Sequence, residues 1–195
     1  MTSRRQFLTT ASLGGAAALA APSIVHAQAP IKWRLQTYAG AALGEHVTKP
    51  MIDYVNSAAN GEMEIELFYA DQIVPTGELF QAMQRGTLDA VHSDDDSMAS
   101  PTPLRQFGGY FPFATKHILD VPVLFNQYGL AAIWREEYAK VGVQWISAAG
   151  QDPCNFNTKK EITSVADLDG LKLYTFPTAG RFLSKFGVVP VSIPY

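Results

Sequence analysis

From Glu62 to Leu67 the chain alternates strictly, with Met63, Ile65 and Leu67 set among Glu62, Glu64 and Glu66, and Tyr69 keeps the same phase. A period of two sends successive side chains to opposite faces of an extended backbone, so this stretch reads as a strand with one face on a core and the other in water. A strand needs partners, and the flanking sequence offers both partners and crossovers. Lys32 to Tyr38 reads as a second strand, carrying Trp33 and Leu35 and opening into a loop at Ala39-Gly40. Between the two, Val47, Met51, Val55 and Ala58 recur at helical spacing, Pro50 falls in the first turn, and Gly61 is the stop.

The same rhythm continues. Pro75-Thr76 leads into a helix from Glu78 to Arg85 with Leu79 and Met83 on one face and Gly86 at its end. A strand from Thr87 to His92 then runs directly into Ser93-Asp94-Asp95-Asp96-Ser97. A longer helical region is predicted from Val123 to Lys140, followed by a strand from Val143 to Ser147. Ser164 to Asp167 fits a capping box on a single turn. Gly170 introduces a strand from Leu171 to Phe176, Thr178 caps a helix bearing Phe182 and Phe186, and Gly187 ends it before a last strand from Val188 to Ile193. Strands alternating with helices predict an α/β fold with a largely parallel sheet covered on both faces. Such sheets meet ligands at the carboxyl ends of their strands. The loops after Tyr38, His92, Ala148 and Tyr174 are therefore the places to look.

The first residues follow another logic. Arg4-Arg5, preceded by Ser3 and followed by Phe7-Leu8, stand before an Ala-rich apolar stretch from Ala11 to Ala21 and a small-residue site at Val25-His26-Ala27. This order is that of an export signal of the twin-arginine type, with cleavage expected after Ala27 and the periplasm as destination. The whole chain carries 15 Lys+Arg and 18 Asp+Glu, a net charge of −3; losing two arginines and no acid takes it to about −5. That balance gives no reason to expect nucleic acid or an anionic membrane surface as a partner. Cys154 is the single cysteine, so no intrachain disulfide forms.

Enzyme signatures are absent: no Gly-x-Ser-x-Gly elbow, no phosphate-binding glycine loop, no paired-cysteine or haem motif. His26, His46, His92 and His117 are scattered, none with a metal-ligand partner three or four residues away. No catalysis, cofactor or metal is expected.

Four ordered segments carry a resemblance. These are Gly77 to Ala90, Tyr110-Phe111-Pro112-Phe113, Ile162 to Lys172, and Phe186-Gly187-Val188-Val189-Pro190-Val191. In that order they resemble the solute-binding subunits of tripartite ATP-independent periplasmic (TRAP) transporters, over the whole region after the signal. The resemblance implies a two-lobed α/β fold that closes on a small-molecule ligand and, as a monomer, docks on an integral-membrane permease driven by an ion gradient. It divides the chain into the signal at 1–27, lobe I at 28–148 and the start of lobe II at 149–195. The rest of lobe II is expected beyond Tyr195, because Val191 to Tyr195 stop in mid-element.

The departures from the family bear on the ligand. In most members the strand after Asp-x-x-Gly-Leu-Lys ends in an arginine that grips a substrate carboxylate with two parallel bonds. Tyr174 stands there in this chain, and Gln151 to Cys154, where a further arginine is common, have none. Arg181 is the nearest other arginine and reads as a solvent-facing helical side chain. Three aspartates, Asp94 to Asp96, instead follow the His92 strand, with Tyr38, Phe111, Tyr174 and Phe176 on neighbouring loops. Acid plus aromatic faces suits an organic cation. The expected ligand-binding residues are Tyr38, Asp94, Asp95, Asp152, Tyr174 and Phe176, and a small amine is preferred to a carboxylate. A second reading makes Asp94 to Asp96 an Asx-type turn facing water with the aromatics in the core. An organic-acid-binding subunit, a sensor protein and a twin-arginine-exported cofactor enzyme are the alternative functions.

Overall fold

A computed structural model describes residues 29–108, 114–150 and 155–191. The expected signal with Arg4 and Arg5, the Tyr110 to Phe113 segment, and Asp152 with Cys154 lie outside the described residues. Strands β1 (Ile31–Thr37), β2 (Met63–Phe68) and β3 (Ala90–His92) form a parallel sheet in the order β2-β1-β3. Ile31 pairs with Met63 and Leu35 with both Leu67 and Ala90. The alternation in β2 holds: Ile65 is buried while Glu64 and Glu66 are exposed. Central β1 is covered on both faces over its last three residues, so Gln36 and Thr37 are fully buried. Gln36 satisfies its amide by donating to the Val74 carbonyl at 2.7 Å and accepting from the Ile73 and Val74 N–H groups. It thereby ties the turn at 71–76 to the sheet.

Helix α1 (Lys49–Ala58) is preceded by one helical turn at Ala41–Leu43 and a π-turn at Gly44–Thr48. Pro50 falls in the first turn of α1, as its missing N–H requires, and the wider turn before it accommodates the ring. The buried face differs from the expected one. Val47 and Met51 are exposed, whereas Ile52 and Thr48 are buried. Polar residues share that inner stripe because they bond to the sheet: Asn56 exchanges hydrogen bonds with both backbone groups of Ile65, at 2.7 and 2.9 Å.

Helix α2 (Leu79–Gln84) buries Leu79, Phe80 and Ala82, and Gly86 ends it in the left-handed region at φ +73°. The predicted helix from Val123 to Lys140 is two helices, α3 (Asp120–Gln127) and α4 (Leu130–Lys140). Gly129, at φ +83°, turns the chain between them. Val143 to Ser147 forms no strand and joins neither sheet. Its apolar side chains pack instead: Val143 is buried, and Trp145 stacks on Phe125 with centroids 5.5 Å apart. One core joins Tyr38, Leu79, Phe80, Leu88, Met98, Trp134 and Tyr138.

The capping turn appears where expected, with Asp167 accepting from the Thr163 and Ser164 N–H groups at 2.9 and 2.7 Å. Strands β4 (Lys172–Tyr174) and β5 (Val189–Val191) form a separate parallel pair joined by helix α5 (Pro177–Leu183). The first is shorter than the expected Leu171 to Phe176, and the second begins at Val189, one residue later than expected. Phe176, not Thr178, is the N-cap residue of α5, and Thr178 lies within the first turn with another task.

Candidate functional site

The carboxyl ends of β1 and β3 lie side by side, and a polar knot sits beneath them. Nδ1 of His92 is 2.9 Å from the Thr37 hydroxyl and 3.1 Å from that of Thr48, and both threonines are fully buried. The Thr48 hydroxyl also lies 3.4 Å from that of Thr37, so the three polar groups form one buried cluster. Burial holds the imidazole below its usual range, favouring the neutral ring. Tyr38, buried in the core, meets the His92 ring edge-on at 5.9 Å.

The aspartates after His92 take three different roles. Asp94 closes an Asx turn, its Oδ1 accepting from the N–H groups of Asp96 at 3.0 Å and Ser97 at 2.8 Å. Its Oδ2 is buried with no hydrogen-bond partner. Asp95 turns into the aromatic core and accepts from Trp134 Nε1 at 3.2 Å and from the Tyr138 hydroxyl. Burial pushes its carboxyl up, opposed by those two bonds, with the charges of Asp94 and Asp96 adding to the rise. Burial likewise pushes the Tyr138 hydroxyl up, and the Asp95 charge adds to it. Asp96, 1% exposed, reaches across 82 positions to α5: Oδ2 accepts the Thr178 N–H at 2.8 Å and Oδ1 the Thr178 hydroxyl at 2.9 Å. Arg105 completes its shell through Nε at 2.9 Å. The Asx turn is thus present, but Asp95 and Asp96 do not face water. Ala99, at φ +54°, marks strain in the same loop.

Beyond β4 the chain borders a cavity of about 270 Å³ lined by Thr175, Phe176, Pro177, Arg181, Pro190 and Val191, among others. Tyr174 is partly exposed, and its ring meets that of Phe176 edge-on at 6.0 Å. Of the expected residues, the structure brings these two rings together, and Phe176 lines the cavity. It places Tyr38 and Asp95 in the core and Asp94 at the end of β3. Local sequence offered no sign of the Asp96–Thr178 contact or of Trp134 and Tyr138 as partners of Asp95. Among the described residues no group of three His, Cys, Asp or Glu side chains is arranged to hold a metal ion.

A mixed α/β chain with parallel strands and a small apolar cavity beyond a strand end belongs to the architecture of ligand-binding proteins rather than of fibres or bundles. Residues 38–195 match bacterial extracellular solute-binding protein family 7, DctP, and the chain belongs to that family, whose members are binding proteins and not enzymes. It is 68% identical to a TRAP periplasmic solute-binding protein of Chromohalobacter salexigens solved with bound (S)-(+)-2-amino-1-propanol, with a TM-score of 0.80 over 85% of this chain and 52% of that one. An extracytoplasmic solute receptor of Bordetella pertussis that binds pyroglutamic acid shares the fold at 20% identity, TM-score 0.72, over 84% of this chain and 54% of that one. A monocarboxylate 2-oxoacid-binding periplasmic protein of Nostoc is 30% identical over 95% of this chain and 53% of its own length. The chain therefore spans about half the length of these relatives. The TRAP resemblance and the expected fold class agree with these matches.

Proposed function

We propose that this protein is the periplasmic solute-binding subunit of a TRAP-type transporter and that its solute is a small amine, an amino alcohol in particular. The observation that carries this reading is the 68% identity to a protein holding 2-amino-1-propanol. Tyr174 supports it: a phenol supplies a π face and one hydroxyl where a carboxylate would call for a cation. In this reading the rings of Tyr174 and Phe176 border the ammonium group, and Asp94, with its unpaired Oδ2, supplies the balancing charge. Asp152 stays in the proposal on sequence grounds alone. Tyr38 and Asp95 shape the floor from within the core.

The remaining expectations enter as parts of the same proposal. Arg4-Arg5 direct twin-arginine export with cleavage after Ala27, the β2-β1-β3 sheet belongs to lobe I at 28–148, the β4-β5 pair to the start of lobe II at 149–195, and the closed monomer docks on the permease. The Nostoc relative favours one competing reading, a 2-oxo acid as solute. A thermal-shift titration separates them, since a ligand that binds only the native state raises stability with the logarithm of its concentration. Stabilisation by (S)-2-amino-1-propanol and other small amines, with none by pyruvate or dicarboxylates, is the expected result. The reverse pattern refutes the amine assignment.

A further inference from the structure

Arg181 occupies an unusual position for an exposed arginine. It is part of the cavity wall beside Phe176 and Pro177. Among the described residues its guanidinium makes one hydrogen bond, Nη2 to the Thr178 hydroxyl at 3.3 Å, and no ion pair. A guanidinium carries five N–H donors in a fixed plane, so most of its donor capacity is uncommitted beside the cavity.

That one bond belongs to a longer relay. The Thr178 hydroxyl donates to buried Asp96 and so turns its lone pairs toward Arg181. The Thr178 N–H is held by the other Asp96 oxygen, which fixes the backbone from which both Thr178 and Arg181 project. Asp96 is itself anchored by Arg105 and fully enclosed, so it has little freedom to turn away. A buried carboxylate that accepts bonds from two partners holds them in one geometry. The loop ending β3 thereby sets the orientation of the cation beside β4.

We propose that Arg181 is the donor with which this cavity takes an oxygen acceptor of its solute, a hydroxyl or a carboxylate, and that Asp96 and Thr178 are the positioning residues that aim it. The proposal rests on the solute-binding reading but not on the choice of an amine. Applied to an amino alcohol, it fixes the orientation. The hydroxyl oxygen turns to Arg181, and the ammonium turns away from that cation toward the rings of Tyr174 and Phe176.

Calorimetric affinities of the wild type, Arg181→Gln, Thr178→Val and Thr178→Ser for (S)-2-amino-1-propanol, 2-aminopropane, lactate and pyruvate test it. The wild type is expected to bind the amino alcohol about tenfold more tightly than 2-aminopropane, which lacks only the hydroxyl, as one charge-assisted hydrogen bond requires. Arg181→Gln should bring that ratio near one by weakening the amino alcohol, with 2-aminopropane bound no more weakly than by the wild type, because the same change removes a like charge from beside its ammonium. Thr178→Val should lower amino-alcohol affinity about fivefold, and Thr178→Ser should restore it. A merely structural role would weaken all probes alike, and that pattern overturns the proposal. Wild-type affinity for the amino alcohol in Arg181→Gln also overturns it and leaves the amine reading standing. Binding of lactate or pyruvate alone, lost about tenfold in Arg181→Gln, upholds Arg181 and removes the amine reading. Binding of none of the four probes overturns both.

Discussion

Gly108 offers a direct test of the buried Asp95 site. A Cβ placed on Gly108 would lie 1.9 Å from Asp95 Oδ2, 2.7 Å from its Cγ and 3.2 Å from its Cβ. Gly108 does not need a positive φ, so alanine meets no backbone strain and the cost is steric alone. To reach ordinary contact the carboxylate must retreat by about 1.5 Å. It cannot do so while accepting from both Trp134 and Tyr138, which hold it in the core. Overpacking and the loss of a buried charge-assisted bond together come to about 2–5 kcal/mol. For a protein of this length that is a fall in melting temperature of about 5–15 °C. Thermal and urea unfolding of Gly108→Ala, followed by circular dichroism, measures it. The same substitution in an Asp95→Ala background, where the crowding oxygen is gone, should cost little beyond Asp95→Ala itself, giving a coupling of about 2 kcal/mol or more. An equal cost in both backgrounds, or a single-variant cost under about 0.5 kcal/mol, would refute the packing described for Asp95.

Three further outcomes are expected. Burial lowers the His92 pKa below its ordinary 6.5, so the native state prefers the neutral ring; its contribution is fully present above pH 6.5 and is lost as the pH falls through the folded value. Asp95 acts with the opposite sign, because its raised pKa relieves a penalty on acidification. The His92 part is therefore read as the difference between urea midpoints of wild type and His92→Gln from pH 7.5 to 5, and an unchanging difference would exclude it. Asn56→Ala leaves the Ile65 N–H without its partner and should cost about 1–3 kcal/mol, whereas an exposed neighbour such as Ser57→Ala should cost under about 0.5. Tyr174→Arg places a guanidinium at the end of β4 and should raise pyruvate affinity while weakening any bound amine; calorimetry with unchanged selectivity would show that position 174 does not face the solute.

Much of the fold was legible because its signals are local. The alternation in β2, the stops at Gly61, Gly86 and Gly187, and the Ser164 turn all depend on backbone preferences that a few residues set. Errors arose where partnership decides. Val143 to Ser147 has the composition of a strand, but a strand also needs a free sheet edge, and these apolar side chains found Phe125 and the helical core instead. The face of α1 was misjudged for a related reason. Apolar spacing selected Val47 and Met51, while hydrogen bonding to the sheet turned Thr48 and Asn56 inward, which a hydrophobic pattern counts as outward.

The candidate site divides along the same line. Tyr174 and Phe176 could be proposed because they follow a recognisable strand, and strand ends are where open α/β sheets receive ligands. The aspartates could be noticed but not sorted, since three adjacent carboxylates look alike until their partners are known. Those partners lie 39 to 82 positions away: Trp134 for Asp95, Thr178 for Asp96. Their separation changes the electrostatic argument. With Asp95 and Asp96 enclosed and already bonded, the proposed reading leaves Asp94 alone in that loop to balance a cationic solute, against the guanidinium of Arg181 beside the cavity. A solute with a positive group alone would meet Arg181 as a repulsive neighbour, and one with an acid alone would leave Asp94 unbalanced. The proposed solute, with an amine and an oxygen on adjacent carbons, would answer both.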